Sequence, residues 1–289
     1  MGRALALVLG FVLAASLGAD YHNLRDINGR LIVSQSLPNG HKTLLKFGFN
    51  DDVDGTEEMV SEAVDATGLE AGPDRCILDT EAITFLNISS SDANDAGLEI
   101  TVEGVDANWD EVSVTVDLGS AAVTSGTQYT LVGPGISWLR VNRAFVSDST
   151  ATQGVVYIHD DVIDTGTNGI PDDASTQVRV IITAAEQQTL HACYSIPDDY
   201  GGGLNITEVC SSVNATGGNA AGTFRLRSTS ATGVSRTQLR FGVGSGLTSC
   251  QRFDPPKMYA ARTALELTAV GSAGNGLDAS GTISGYLLR

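Results

Sequence analysis

The 289 residues carry 34 acids against 17 bases, a net charge of −17, with 33 glycines and 6% aromatics. Such a charge excludes ready binding to free nucleic acid or to an anionic membrane face, since like charges repel. The length can bury a sizeable core. Abundant glycine and short alternating runs predict an all-β chain: one or two β-sandwich or jelly-roll-like modules with an N-terminal anchoring segment.

Residues 1–19 hold one early arginine, an apolar run and then small residues, the composition of a secretory signal with cleavage after Gly18 or Ala19. The run is too short and too lightly flanked for a membrane span. We expect it to be kept, as a buried anchor at an interface, and residues 1–46 to form an anchoring arm; the alternative is a cleaved signal. Residues 21–49 read as two or three short strands punctuated by the turn dipeptides Asn28-Gly29 and Asn39-Gly40.

Residues 50–72 are acidic and read as a loop or one short helix. The start of this stretch looks like a calcium loop, but the twelfth position counted from Asn50 is Ser61 rather than a glutamate. Residues 77–88 begin the sheet proper.

The clearest pattern spans residues 98–146. Leu98, Ile100 and Val102 alternate with Glu99, Thr101 and Glu103; Val112, Val114, Val116 and Leu118 alternate with Glu111, Ser113, Thr115 and Asp117. Period-two alternation predicts two half-buried strands, apolar on one face and acidic on the other. The short connection Asp106-Ala107-Asn108-Trp109-Asp110 predicts that they pair as an antiparallel hairpin.

Residues 160–174 form a polar loop. Asp164, Asn168, Asp172 and Asp173 around a turn glycine are the candidate calcium ligands, because calcium takes six to eight hard oxygens; Gly166 stands where a second carboxylate belongs, and a solvated acidic turn is the alternative. The loop also divides the charge: residues 1–175 carry net −19 and residues 176–289 net +2. We therefore expect an acidic β domain at 47–175 and a glycine-rich β domain at 176–289, with the boundary near 164–176.

Beyond the loop, short runs at 177–183, 189–196, 204–213, 222–228, 236–243, 258–270 and 282–287 read as strands. Cys76, Cys193, Cys210 and Cys250 allow three pairings; Cys193 with Cys210, flanking a glycine-rich turn, is the expected one, with small buried thiols as the alternative. Arg225, Arg227, Arg236 and Arg240 alternate with apolar residues. They predict a guanidinium row on one sheet face, suited to carboxylates of other copies rather than to nucleic acid. Of three sequons, those at Asn205 and Asn214 are the candidate glycan sites, beside a glycine-rich turn.

No catalytic constellation is evident. The four histidines are scattered, and there is no H-E-x-x-H, no G-x-S-x-G and no phosphate-cradling loop. His191 and Cys193 share a strand face, which is the arrangement of core packing rather than of a nucleophile and its base. We expect a non-enzymatic protein without an obligate cofactor. Three lysines against 23 aspartates is the balance we expect of a surface that works in concentrated salt, where self-repulsion is screened; an ordinary acidic extracellular β-protein is the alternative.

The loop Gly104-Val105-Asp106-Ala107-Asn108-Trp109 between alternating strands, followed by Trp138-Leu139-Arg140-Val141-Asn142-Arg143, resembles a family of virion structural proteins of tailed viruses, from aquatic phages and haloarchaeal viruses. Phe47-Gly48-Phe49-Asn50-Asp51-Asp52 is similar to its opening segment, Ser89-Ser90-Ser91-Asp92-Ala93-Asn94-Asp95 to its serine-rich run, and Gln188-Thr189-Leu190 with Tyr194-Ser195-Ile196-Pro197 to a later strand. The resemblance covers residues 47–200 and departs at both ends. It implies a virion component on the particle surface (head decoration, turret, spike or tail-associated part) that assembles with itself, as a trimer, and with the major capsid or other virion proteins, and that meets the host surface. The rival expectation is a secreted or cell-surface binding module directed at carbohydrate or cell wall.

Overall fold

The structure, a computed structural model, describes residues 42–61, 76, 82–119, 130–147, 150–160, 169–171, 178–214, 220–272 and 277–289. Leu44 to Arg289 form one compact unit. The strands are β1 (Lys42–Val53), β2 (Glu58–Met59), β3 (Asn87–Ser90), β4 (Glu99–Asp106), β5 (Glu111–Asp117), β6 (Thr130–Leu131), β7 (Trp138–Val146) and β8 (Val156–His159). They continue as β9 (Val178–Ile182), β10 (Cys193–Ser195), β11 (Gly203–Asn214), β12 (Ala221–Ser230), β13 (Ser235–Gly244), β14 (Leu247–Tyr259), β15 (Thr263–Gly271) and β16 (Leu277–Leu288). A 3-10 turn at Ala93–Asp95 is the one helical element among the described residues. The chain is all-β and sandwich-like.

Two pairs of sheets divide the strands. In the first sandwich β6-β3-β8-β9 faces β5-β4-β7, and their shared core includes Ile88, Ile100, Val102, Trp138, Ala144, Ile158 and Ile182. The alternation in β4 and β5 sets this up: Ile100 opposes Val116 and Val102 opposes Val114, while Glu99 and Glu103 take the other face. Trp138 is 1% exposed, and its indole N–H donates to the Val132 carbonyl at 3.0 Å, so its polar end is satisfied. In the second sandwich β1-β16-β11-β14 faces β10-β15-β12-β13. β10 and β2 share one edge of β15, against Ala264–Glu266 and Thr268–Ala269 respectively. Leu204, Ile206, Val209, Phe224, Leu226, Leu265, Leu267 and Ile283 fill the space between the sheets.

Strand β14 closes one edge. Its register on β11 jumps from Arg252 to Lys257, opposite Glu208 and Ile206, and the skipped residues include Pro255 and Pro256. Proline has no N–H to offer an incoming strand, so this edge is blunted against further pairing.

The sheets do not divide where the charge does. β1 and β2, from the acidic half, complete the second sandwich, whereas β9, beyond residue 176, completes the first. Strand pairing follows backbone hydrogen bonds and apolar faces, to which surface charge is indifferent, so the boundary expected near 164–176 is corrected. The acidic stretch begins as the end of β1 rather than as a helix. The run expected at 258–270 is cut by a turn at which Arg262 takes φ 58 without a glycine.

Candidate functional site

Four of the segments that carry the family resemblance, 47–52, 138–143, 188–190 and 194–197, are far apart in sequence and meet in one seam between the sandwiches. In β7 the register on β4 passes from Glu103↔Arg143 to Gly104↔Val141, so Asn142 is the extra residue of a bulge. A bulge frees a backbone carbonyl. The ammonium of Lys46, from β1, donates to it. The Asn142 side chain turns to β10, where its Oδ1 accepts the Ser195 N–H at 2.7 Å and its Nδ2 donates to the Ser195 carbonyl at 3.1 Å. One amide thereby satisfies both backbone groups of a residue that is 1% exposed. Thr189 N donates to the Ala144 carbonyl at 2.9 Å and Phe49 N to the Leu190 carbonyl at 3.4 Å, which extends the seam through the other resembling segments. At Gly48 an added Cβ would fall inside the Val60 carbonyl, so only glycine permits this approach.

The hairpin loop abuts the same seam. Asp106 Oδ1 accepts from Asn108 N at 2.8 Å and Asp110 N at 3.0 Å, a local turn that carries Trp109 to φ 70. The Arg140 guanidinium lies 4.3 Å above the Trp109 ring, and the Trp109 carbonyl accepts from Asp198 N at 2.8 Å. In the serine-rich run, buried Asp95 accepts from Gln153 N at 2.7 Å, from Gly154 N at 3.0 Å and from the Ser90 hydroxyl. These residues perform architecture. The sequence offered the motif; the pairing of Asn142 with Ser195 carried no sequence signal, because it bridges 53 positions.

The four arginines do not form one row. Arg225 opposes Arg240 across β12 and β13, but the register then steps from Leu226↔Leu239 to Arg227↔Thr237, which makes Gln238 a bulge and places Arg236 opposite Ser228. An inserted residue reverses the face of everything beyond it, so Arg236 and Arg240 lie on opposite faces of the sheet. Arg225 and Arg227 are also engaged within the chain. Both pair with Glu57, Arg227 at 2.9 Å, and Arg227 lies 3.7 Å from buried Glu266. Burial raises the Glu57 carboxyl, but hydrogen bonds from Thr268 and Arg227 and the charges of both arginines outweigh it and hold the group below its ordinary range. The expectation that Arg225 and Arg227 grip other copies is corrected; Arg236 and Arg240 are exposed.

The cysteines pair as Cys76–Cys193 and Cys210–Cys250, not as Cys193–Cys210. Cys193 lies in β10 and Cys210 in β11, which belong to opposing sheets, whereas Cys210 and Cys250 are direct partners in the β11–β14 register. Adjacency in sequence misleads when the chain crosses from one sheet to the other. No thiol remains to pair with His191. That imidazole is buried beside Ser61, with Nδ1 3.2 Å from the Ser61 hydroxyl, and burial together with the Lys46 charge pushes its pKa down to about 3.

Asn205 is corrected as a glycan site: it is 8% exposed within β11, so its amide cannot present to a transferase. Asn87, of the third sequon, is 5% exposed. Asn214 is exposed at the end of β11. The candidate calcium ligands Asp164, Asn168, Asp172 and Asp173 lie outside the described residues, as do residues 1–41.

No protein-family model matches this chain. No curated protein matches it either. Solved structures with a distant likeness include the D431N mutant VP2 protein of infectious bursal disease virus in derived T=1 particles, at TM-score 0.25 and 11% identity over 88% of this chain and 72% of that one. Two others are the infectious bursal disease virus Gx strain (TM-score 0.24, 11% identity, 87% and 74% covered) and the VP2 subviral particle of the same virus (0.22, 12%, 88% and 74%). At such TM-scores the likeness carries no argument.

Proposed function

We propose that this chain is a non-enzymatic structural protein of a tailed-virus particle. In this reading it stands on the particle surface as a head decoration, turret, spike or tail-associated part. It assembles with its own copies, as a trimer, and with the major capsid or other virion proteins, and its glycine-rich C-terminal half meets the host surface. The observation that carries the reading is the seam: four of the dispersed segments that resemble tailed-virus virion proteins, 47–52, 138–143, 188–190 and 194–197, meet around Asn142, Thr189 and Ser195, beside Lys46, where they join two sandwiches. Residues with a shared architectural task support a shared architecture, and the chemistry at the seam is that of a joint. The lysine-poor, aspartate-rich composition supports a brine habitat. Gradient-purified particles should carry the chain, located by gold-labelled antibody; a lone monomer that never co-sediments with particles would overturn the proposal.

A second reading is favoured by the two disulfides, which persist in oxidising surroundings. It makes the chain a secreted or cell-surface binding module from which residues 1–19 are removed. Intact-mass measurement of the native protein separates the two, since a mass counted from Met1 excludes this alternative.

A further inference from the structure

We infer that the open end of the second sandwich is a binding site for a carboxylated saccharide. There the β12–β13 hairpin stands away from the end of β14 and leaves a cleft of about 470 Å³. The bulge at Gln238 builds it. By reversing the face of β13, the bulge turns Arg236 toward the side of Ser228, and both residues line the cleft. The freed Gln238 carbonyl accepts the Lys257 ammonium at 3.0 Å, and the Gln238 amide donates to the Ser228 hydroxyl at 2.7 Å. The ammonium also lies 5.8 Å from the Tyr259 ring. Lys257 is therefore held at the cleft wall instead of trailing into water.

The lining specifies the ligand. In a chain with twice as many acids as bases, this cleft is lined by two cations, Arg236 and Lys257, and by no carboxylate. Neither cation has an ion-pair partner among the described residues. Ser228, Ser230, Thr232 and Thr263 add hydroxyls that both donate and accept, which suits the vicinal hydroxyls of a sugar. Tyr259, also in the wall, is 6% exposed and its hydroxyl has no hydrogen-bond partner among the described residues. Val234 and Met258, 52% and 68% exposed, offer apolar surface to the C–H face of a sugar ring. A guanidinium matches a single carboxylate as a two-pronged donor. A polyanion such as nucleic acid meets the repulsion of the whole chain, whereas one carboxylate meets chiefly the local pair. The inference holds for a particle-borne or a secreted chain alike, so its failure leaves the proposed function standing.

The test is calorimetric titration and saturation-transfer NMR at low salt with N-acetylneuraminic acid, a glucuronate-containing disaccharide, neutral lactose and sodium acetate. Both acidic saccharides should bind, and lactose and acetate should not. Arg236→Gln should weaken binding about tenfold or more, the value of one charged hydrogen bond, with an unchanged melting temperature because the side chain is exposed. Met258→Glu, which adds a carboxylate at the wall, should do the same without touching Lys257. Equal binding of lactose, equal binding of acetate, no binding at all, or full affinity in Arg236→Gln would each overturn the site. So would a self-association that Arg236→Gln abolishes, because the cleft would then belong to a second copy.

Discussion

Replacing Asn142 by alanine tests whether the seam holds the two sandwiches together. The side chain satisfies the N–H and the carbonyl of Ser195 at 2.7 and 3.1 Å, and both residues are buried, at 5% and 1% exposure. Alanine leaves two buried backbone groups without partners, at about 1–3 kcal/mol each, so the expected loss is about 2–6 kcal/mol. That is a large part of the roughly 5–15 kcal/mol that stabilises a native protein. The loss should fall on the joint. Trp109 and Trp138 lie in or beside the first sandwich and are the only tryptophans, so their fluorescence follows that sandwich, while far-UV circular dichroism follows both. In urea the two signals should coincide for the parent chain and separate for Asn142→Ala. Asn142→Asp should lose nearly as much, because its second oxygen would face the Ser195 carbonyl. Coincident transitions with a loss under about 1 kcal/mol, less than one unsatisfied group, would refute the reasoning.

Non-reducing peptide mapping should recover the links 76–193 and 210–250 and none joining 193 to 210. The closed loops, 117 and 40 residues apart in sequence, predict losses of about 5 and about 4 kcal/mol when each pair is replaced by serine; the reverse order would contradict the loop-length reasoning. Burial and the Lys46 charge push His191 down to about 3 from 6.5, so the unfolded chain takes up the proton first. Stability should fall as pH drops below about 6.5 toward about 3, and His191→Gln should flatten that slope. Burial, then the Arg143 charge, push Lys46 down to about 7 from 10.5. Stability should accordingly decline as pH falls from 10.5 to 7 and level off below, a slope that Lys46→Met should remove. In a salt series the melting temperature should rise into the molar range as self-repulsion is screened; a flat response would count against the brine habitat.

Much of the first sandwich was legible. Alternation in residues 98–118 stated which side chains of β4 and β5 face inward, and the Asp106–Asp110 turn stated how the strands join, because both signals are local. Most later strands were legible for the same reason. Two boundaries were not. β14 runs through Pro255 and Pro256, outside the expected strands, because its edge position leaves those backbone positions free of any ladder. The turn at Arg262 has no glycine to announce it, since a surrounding hairpin can hold an arginine at φ 58.

The sequence by itself determined the all-β class, the hairpin, the acidic surface, and the segments that resemble virion proteins. Those follow from period, turn chemistry and composition, all of which act over a few residues. Tertiary structure alone decided which strands share a sheet, which cysteines meet, and which arginines are free. Two single-residue bulges, at Asn142 and Gln238, redirect side chains and free carbonyls that two of the chain's three lysines then take. A bulge depends on the partner strand's register, and register is set by contacts dozens to hundreds of positions away.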